Sequence, residues 1–252
     1  VITTIFHRHI MSYPVLFARG DTQILGDWFP GTDHGLSAFC NCQRHKFELR
    51  HRIDPERLTA LLHSPFTPLG RCRGDLLRVE SLGVDVDGAE SLRILYLTEL
   101  DNGDLAAASG MAFIPTAPAT SEPRPIVAWT HGTVGEGDAC APSRQKDPAS
   151  QLTQFLPNMI QLGWALVATD YTGLGTPGVQ AYLLKDQEIR DTVNSVRVFQ
   201  QNPHADDGSR YTVLGHSQGG HTALWTGHLS KKFAPELEVM RSWSLHYPNL
   251  PN

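Results

Sequence analysis

Six consecutive residues, Gly215-His216-Ser217-Gln218-Gly219-Gly220, constrain this chain more than any others. They follow a short strand-like run, Tyr211 to Leu214, and open a segment, Gly219 to Lys231, that reads as helix. G-x-S-x-G between a strand and a helix is the pattern of a nucleophile elbow, a turn sharp enough to lift the serine hydroxyl clear of the sheet edge. Its glycines are dictated by crowding, because a Cβ at 215 or 219 would press into the adjoining strand or helix. Ser217 is therefore the candidate nucleophile. The N–H of Gln218, at the positive end of the helix, is the candidate oxyanion donor. The motif alone is weak evidence; the strand before it and the helix after it give it weight.

The preceding residues supply a suitable scaffold. Asp75 to Val84 and Ser91 to Leu100 alternate as strands about a turn at Asp87-Gly88, and Leu105 to Ile114 reads as a third. After the Pro/Ala/Ser-rich loop Pro115 to Pro125, the run Ile126-Val127-Ala128-Trp129 is apolar throughout, as in a strand buried on both faces of a parallel sheet. Gln151 to Leu162 reads as helix and Trp164 to Thr169 as another buried strand. Glu188 to Gln200 is a helix with Ile189, Val193, Val196 and Phe199 on one face. This alternation predicts an α/β chain with a mostly parallel sheet and helices on both faces.

The end of the chain is where the expected machinery runs short. In folds built on this elbow, the acid and the histidine of the triad follow the serine. Only thirty-five residues follow Ser217, and none is Asp. His221 lies one turn along the helix and is expected to pack. His228 would sit on the order of 16 Å down it at 1.5 Å per residue. His246 could return to the catalytic edge only if the residues before it ran back as a strand. Asp170 lies at the correct edge but precedes the serine, so it is expected to be a hydrogen-bonded loop residue.

Composition narrows the class further. With 252 residues, 40% hydrophobic and 19% charged, the chain has the make-up of a globular protein. Its net charge of −5 argues against a phosphate-binding surface, and hence against a nucleic-acid partner. No apolar run reaches the roughly 20 residues of a membrane span. His7, Arg8, His9 and Arg19 interrupt the first twenty residues, which do not read as a secretory signal. Cys40-x-Cys42-x-x-His45 lacks a second ligand pair at finger spacing, so no metal is expected. Residues 1–55 show no sustained period and form a segment apart from the core expected at 56–239.

The loop after Trp129 adds a second oxyanion candidate. His131-Gly132-Thr133-Val134-Gly135 occupies the place of the HG-type loops that supply an N–H to the oxyanion hole, which nominates Thr133; a plain glycine-rich βα turn is the alternative. Together with Cys140-Ala141-Pro142-Ser143, Ala168-Thr169-Asp170-Tyr171-x-Gly173-Leu174-Gly175-Thr176-Pro177-Gly178 and the elbow extended to His221, Trp129-Thr130-His131-Gly132-Thr133 resembles the secretory lipases, the lipase A-like α/β-hydrolases of fungi and actinobacteria. The resemblance runs from about Ser64 to Val239. It implies an α/β-hydrolase fold and extracellular hydrolysis of acylglycerols or other carboxylic esters through an acyl-enzyme. It also implies Ser217, Gln218 and Thr133 as site residues, with no metal or organic cofactor. At residues 240–252 the likeness fails, as a shifted reading frame near residue 240 would produce. The later strands, the cap and the triad Asp and His are therefore expected to be missing. Two further expectations follow: a catalytically incomplete remnant or acyl-ligand-binding protein as the rival reading, and self-association through an exposed sheet edge.

Overall fold

In the computed structural model, residues 72–117, 124–200 and 209–245 are described. Residues 1–55, the Cys40/Cys42/His45 group and His246 lie outside them. Seven strands form one sheet: β1 (Leu76–Ser81), β2 (Ala89–Glu99), β3 (Leu105–Pro115), β4 (Ile126–Thr130), β5 (Ala165–Thr169), β6 (Arg210–His216) and β7 (Glu238–Leu245). Their spatial order is β1-β2-β3-β5-β4-β6-β7. The sheet has two halves. β1, β2, β3 and β5 pair antiparallel in sequence, whereas β5, β4, β6 and β7 run parallel. Among the described residues three α-helices accompany it: α1 (Leu156–Gln161), α2 (Lys185–Gln200) and α3 (Gln218–Phe233).

β4 and β5 are buried at every position, which explains their unbroken apolar sequences. Ile126, Ala128 and Val167 face a core that includes Ile189, Val193, Val196 and Phe199 of α2 and Ala223 of α3. Val127, Trp129 and Leu166 face the other side, against Leu152, Leu156 and Ile160 around α1. The four α2 residues picked out by helical spacing are all buried. Burying side chains of this size contributes about 1.5–3 kcal/mol each before entropy is counted. α1 is shorter than the segment Gln151 to Leu162 had indicated. Pro157 lacks an N–H and fits only the first turn, so the helix begins beside it and residues 151–155 remain in turns.

The end of the described chain corrects an expectation. Residues 238–245 do not leave β6 as a bare edge. They form β7, paired in parallel with β6 from Arg210↔Glu238 to His216↔Leu245. β7 is also fitted to the helix beside it. Ser242 and Ser244 rest on Gly227 and Gly220 of α3, where a Cβ on either glycine would strike the serine hydroxyl. The edge strand is thus β7 itself, and it carries exposed Met240, Trp243 (55% exposed) and Leu245. Their exposure explains why the sequence did not read as a buried strand.

Candidate active site

β4 and β6 lie side by side in parallel, Thr130 opposite Gly215, so the segments leaving their C-terminal ends meet at one edge of the sheet. β6 there turns into α3 through Ser217, whose backbone sits at φ 53°, ψ −113°. Serine rarely adopts a positive φ, and such a residue stores on the order of 1–3 kcal/mol of strain. The glycines permit the turn. A Cβ on Gly215 would strike the Gly219 carbonyl and the Thr130 hydroxyl, and one on Gly219 would enter the Thr130 carbonyl. Thr130 Oγ1 seals this approach by donating to Gly219 O at 2.8 Å. Ser217 is exposed, and its side chain makes no capping bond to α3. An exposed hydroxyl on a strained elbow at a helix N-terminus is chemically suited to attack an electrophile.

Gln218 and Thr133 flank it differently. Gln218 is buried as the first residue of α3, while Thr133 is exposed on the loop after β4. Gly132, immediately before Thr133, approaches His216 so closely that a Cβ would come within 2.8 Å of the imidazole Nδ1. That packing brings the loop alongside the elbow. Thr133 Oγ1 is hydrogen-bonded to Tyr182 OH at 3.0 Å. The neighbouring His131 is buried, its ring nitrogens 2.7 Å from Gly132 O and 3.2 Å from Asp170 O, and it stacks near Tyr171. It is built into the scaffold.

Asp170 follows β5 at the same edge, as the sequence indicated, and is 0% exposed. Ser109 Oγ donates to it at 2.7 Å, and Ser143 donates through its hydroxyl at 2.5 Å and its N–H at 3.0 Å. Its carboxylate ties the segment after β5 to β3 and to the loop that carries Ser143. His221 also packs: Nδ1 lies 3.2 Å from Glu188 Oε2. His228 stands beside Trp225, with ring centroids 6.2 Å apart.

Sequence reasoning passed over the buried acids of α2. Asp191 accepts from Thr98 Oγ1, Gln187 Nε2 and both the hydroxyl and N–H of Thr172. Burial pushes its carboxyl above the usual carboxylate range, against the pull of those donors. Tyr96 and Tyr171 lie among these acids. Burial raises both phenols well above their ordinary value, with Asp191 adding to the shift at Tyr96 and Glu188 at Tyr171. The Tyr96 hydroxyl donates to the Asp191 backbone carbonyl at 2.9 Å, and that of Tyr171 lies 3.3 Å from Thr222 Oγ1. The sequence signal, Lys185-Asp186-Gln187-Glu188, resembled nothing more than an acidic helix start. Among the described residues no group of three or more His, Cys, Asp or Glu could hold a metal, and no helix is long and apolar enough to cross a membrane.

Comparison with known proteins bears on the fold that carries this site. The family model described as secretory lipase matches residues 149–243, reaching past Val239 into β7. Lipase A of Moesziomyces aphidis is 24% identical over 181 residues, covering 67% of this chain and 38% of its own length. The closed state of Candida antarctica lipase A superposes with a TM-score of 0.57 at 21% identity, covering 67% of this chain and 41% of that one. The rice cell wall degrading esterase LipA from Xanthomonas oryzae gives a TM-score of 0.53 at 24% identity, covering 67% and 49%. The chain thus spans about two fifths of the length of the lipase A relatives it matches. The fold is that of the α/β-hydrolases, and residues 149–243 are similar to the secretory lipase family.

Proposed function

We propose that this chain carries the nucleophile half of a carboxylic ester hydrolase of the lipase or esterase type. The observation that carries this reading is Ser217: exposed, held at φ 53° and admitted by glycines that have no room for a Cβ. Ser217 Oγ attacks the ester carbonyl, and the alcohol departs to leave an acyl-enzyme that water then cleaves. The N–H groups of Gln218 and Thr133 receive the oxyanion of each tetrahedral intermediate. One such donor is worth roughly 10²–10³ in rate. In the complete machinery a histidine takes the serine proton and an acid orients that histidine. Substrates are acylglycerols or other carboxylic esters, and the setting is extracellular, in keeping with the secretory lipase match.

A second reading has its own observation. Among the described residues no imidazole is hydrogen-bonded to Ser217, and His221 is engaged by Glu188. A chain in this state would hold an ester or acyl ligand without turning it over. Hydrolysis of a short-chain nitrophenyl ester separates the two. Turnover lost in Ser217→Ala supports the hydrolase, and equal inactivity of two folded proteins supports the second reading. We also propose self-association through the β7 edge, where Met240, Trp243 and Leu245 are exposed. A monodisperse monomer in light scattering would refute it.

A further inference from the structure

Glu188 lies in the first turn of α2, its side chain only 2% exposed. Four donors converge on its carboxylate. Leu183 N–H at 3.1 Å and Gln218 Nε2 at 2.8 Å reach Oε1. Thr222 Oγ1 at 2.7 Å and His221 Nδ1 at 3.2 Å reach Oε2. A carboxylate offers about four acceptor sites and no donor, so these four partners can use every site, with His221 donating in its Nδ1–H tautomer.

The donors come from two segments that bear on the oxyanion hole. Gln218 is itself a candidate donor residue and fixes the start of α3. Leu183 belongs to the loop before α2 and is held at φ 58°, one of three non-glycine residues at positive φ among those described. Its neighbour Tyr182 reaches Thr133 Oγ1, on the other candidate donor. One buried carboxylate is thus linked directly to Gln218 and, through Leu183 and Tyr182, to Thr133. Paired helices supply the rigidity, since Glu188 on α2 grips Gln218, His221 and Thr222 on the first turns of α3.

We infer that Glu188 is a positioning residue that sets the two oxyanion donors relative to Ser217, an inference that rests on the ester-hydrolase reading above. It touches no reacting atom. Its effect passes through the backbone of residues 133 and 218, where small misplacement is expensive for catalysis. Glutamine has nearly the same size but replaces one acceptor oxygen with an NH2 group. With its NH2 toward Leu183 and Gln218 the amide faces two groups that can only donate; with its NH2 toward Thr222 and His221 it makes both give up donation and accept instead.

The test is hydrogen exchange combined with kinetics on the whole chain, comparing Glu188→Gln and Tyr182→Phe with the unaltered protein. In Glu188→Gln, amide exchange at residues 131–135, 182–184 and 218–222 rises together by about fivefold, while β4 and β5 keep their protection. Ser217-dependent hydrolysis of a nitrophenyl ester loses about 100-fold in kcat with KM within about twofold, the mark of an interaction made in the transition state. Tyr182→Phe removes only the exposed hydroxyl link, so it folds even where Glu188→Gln does not, and it loosens residues 131–135 alone. Unchanged exchange at residues 131–135 and 218–222 in the altered proteins overturns the inference. So does a rise spread evenly over the core, which would make Glu188 merely structural. A chain without Ser217-dependent turnover refutes the hydrolase reading by itself, and the exchange pattern still decides the role of Glu188.

Discussion

Asp170 and Ser217 stand at the C-terminal ends of β5 and β6, where an α/β sheet places its chemistry, yet they have opposite surroundings. Asp170 is sealed in, and two serine hydroxyls and an N–H share its carboxylate. Ser217 is exposed, strained and uncapped. Position along a strand nominates both residues, and environment separates them. A polar group whose bonding capacity is spent inside the protein holds chain segments together, whereas one held open against backbone strain is available to react.

Several substitutions sharpen or break this contrast. The largest effect is expected for Gly219→Ala, because the added methyl meets the backbone carbonyls of Thr130 and His131 rather than yielding side chains. The loss is roughly 3 kcal/mol or more by denaturant unfolding, an extreme case of overpacking. An alanine tolerated at Gly219 would mean that the elbow is not the tight turn described. Asp170→Ala leaves three buried donors unanswered and costs about 3 kcal/mol. Ser217→Ala, at an exposed hydroxyl, shifts stability by no more than about 0.5 kcal/mol. Comparable losses from the two would erase the distinction between holding and reacting groups.

A smaller effect concerns pH. Burial raises the phenols of Tyr96, Tyr171 and Tyr211 above their ordinary value. The unfolded chain releases these protons near pH 10, about the free tyrosine value, while the native state retains them. Stability is therefore full below about pH 10 and falls as pH rises beyond it. The urea midpoint is expected to drop between pH 9 and pH 11. A flat midpoint would show that these hydroxyls reach solvent.

How much could be read in advance follows the same division between local and long-range causes. The elbow was legible because its requirements lie within a few residues: Gly215 and Gly219 crowd each other, and Ser217 stands between them. β4 and β5 were legible because burial on both faces leaves an unbroken apolar run. Glu188 was not, since only the pairing of α2 with α3 turns an ordinary acidic helix start into a four-donor hub. β7 was hidden for the opposite reason: apart from Val239, which packs on the core, its apolar side chains are exposed, and its fit depends on Gly220 and Gly227 in the neighbouring helix. Thr133 was nominated from its loop, but its tie to Tyr182 spans forty-nine residues and left no local trace.

Among the described serines, Ser217 is the one held exposed on a strained turn at a helix N-terminus, as a nucleophile requires. The direct measurement is mass spectrometry of the folded protein after exposure to a fluorophosphonate, with the modified residue located by peptide mapping. A single adduct on Ser217 is expected, absent from Ser217→Ala and from the heat-unfolded chain. An adduct on another serine, or equal labelling of the folded and unfolded chains, would contradict it.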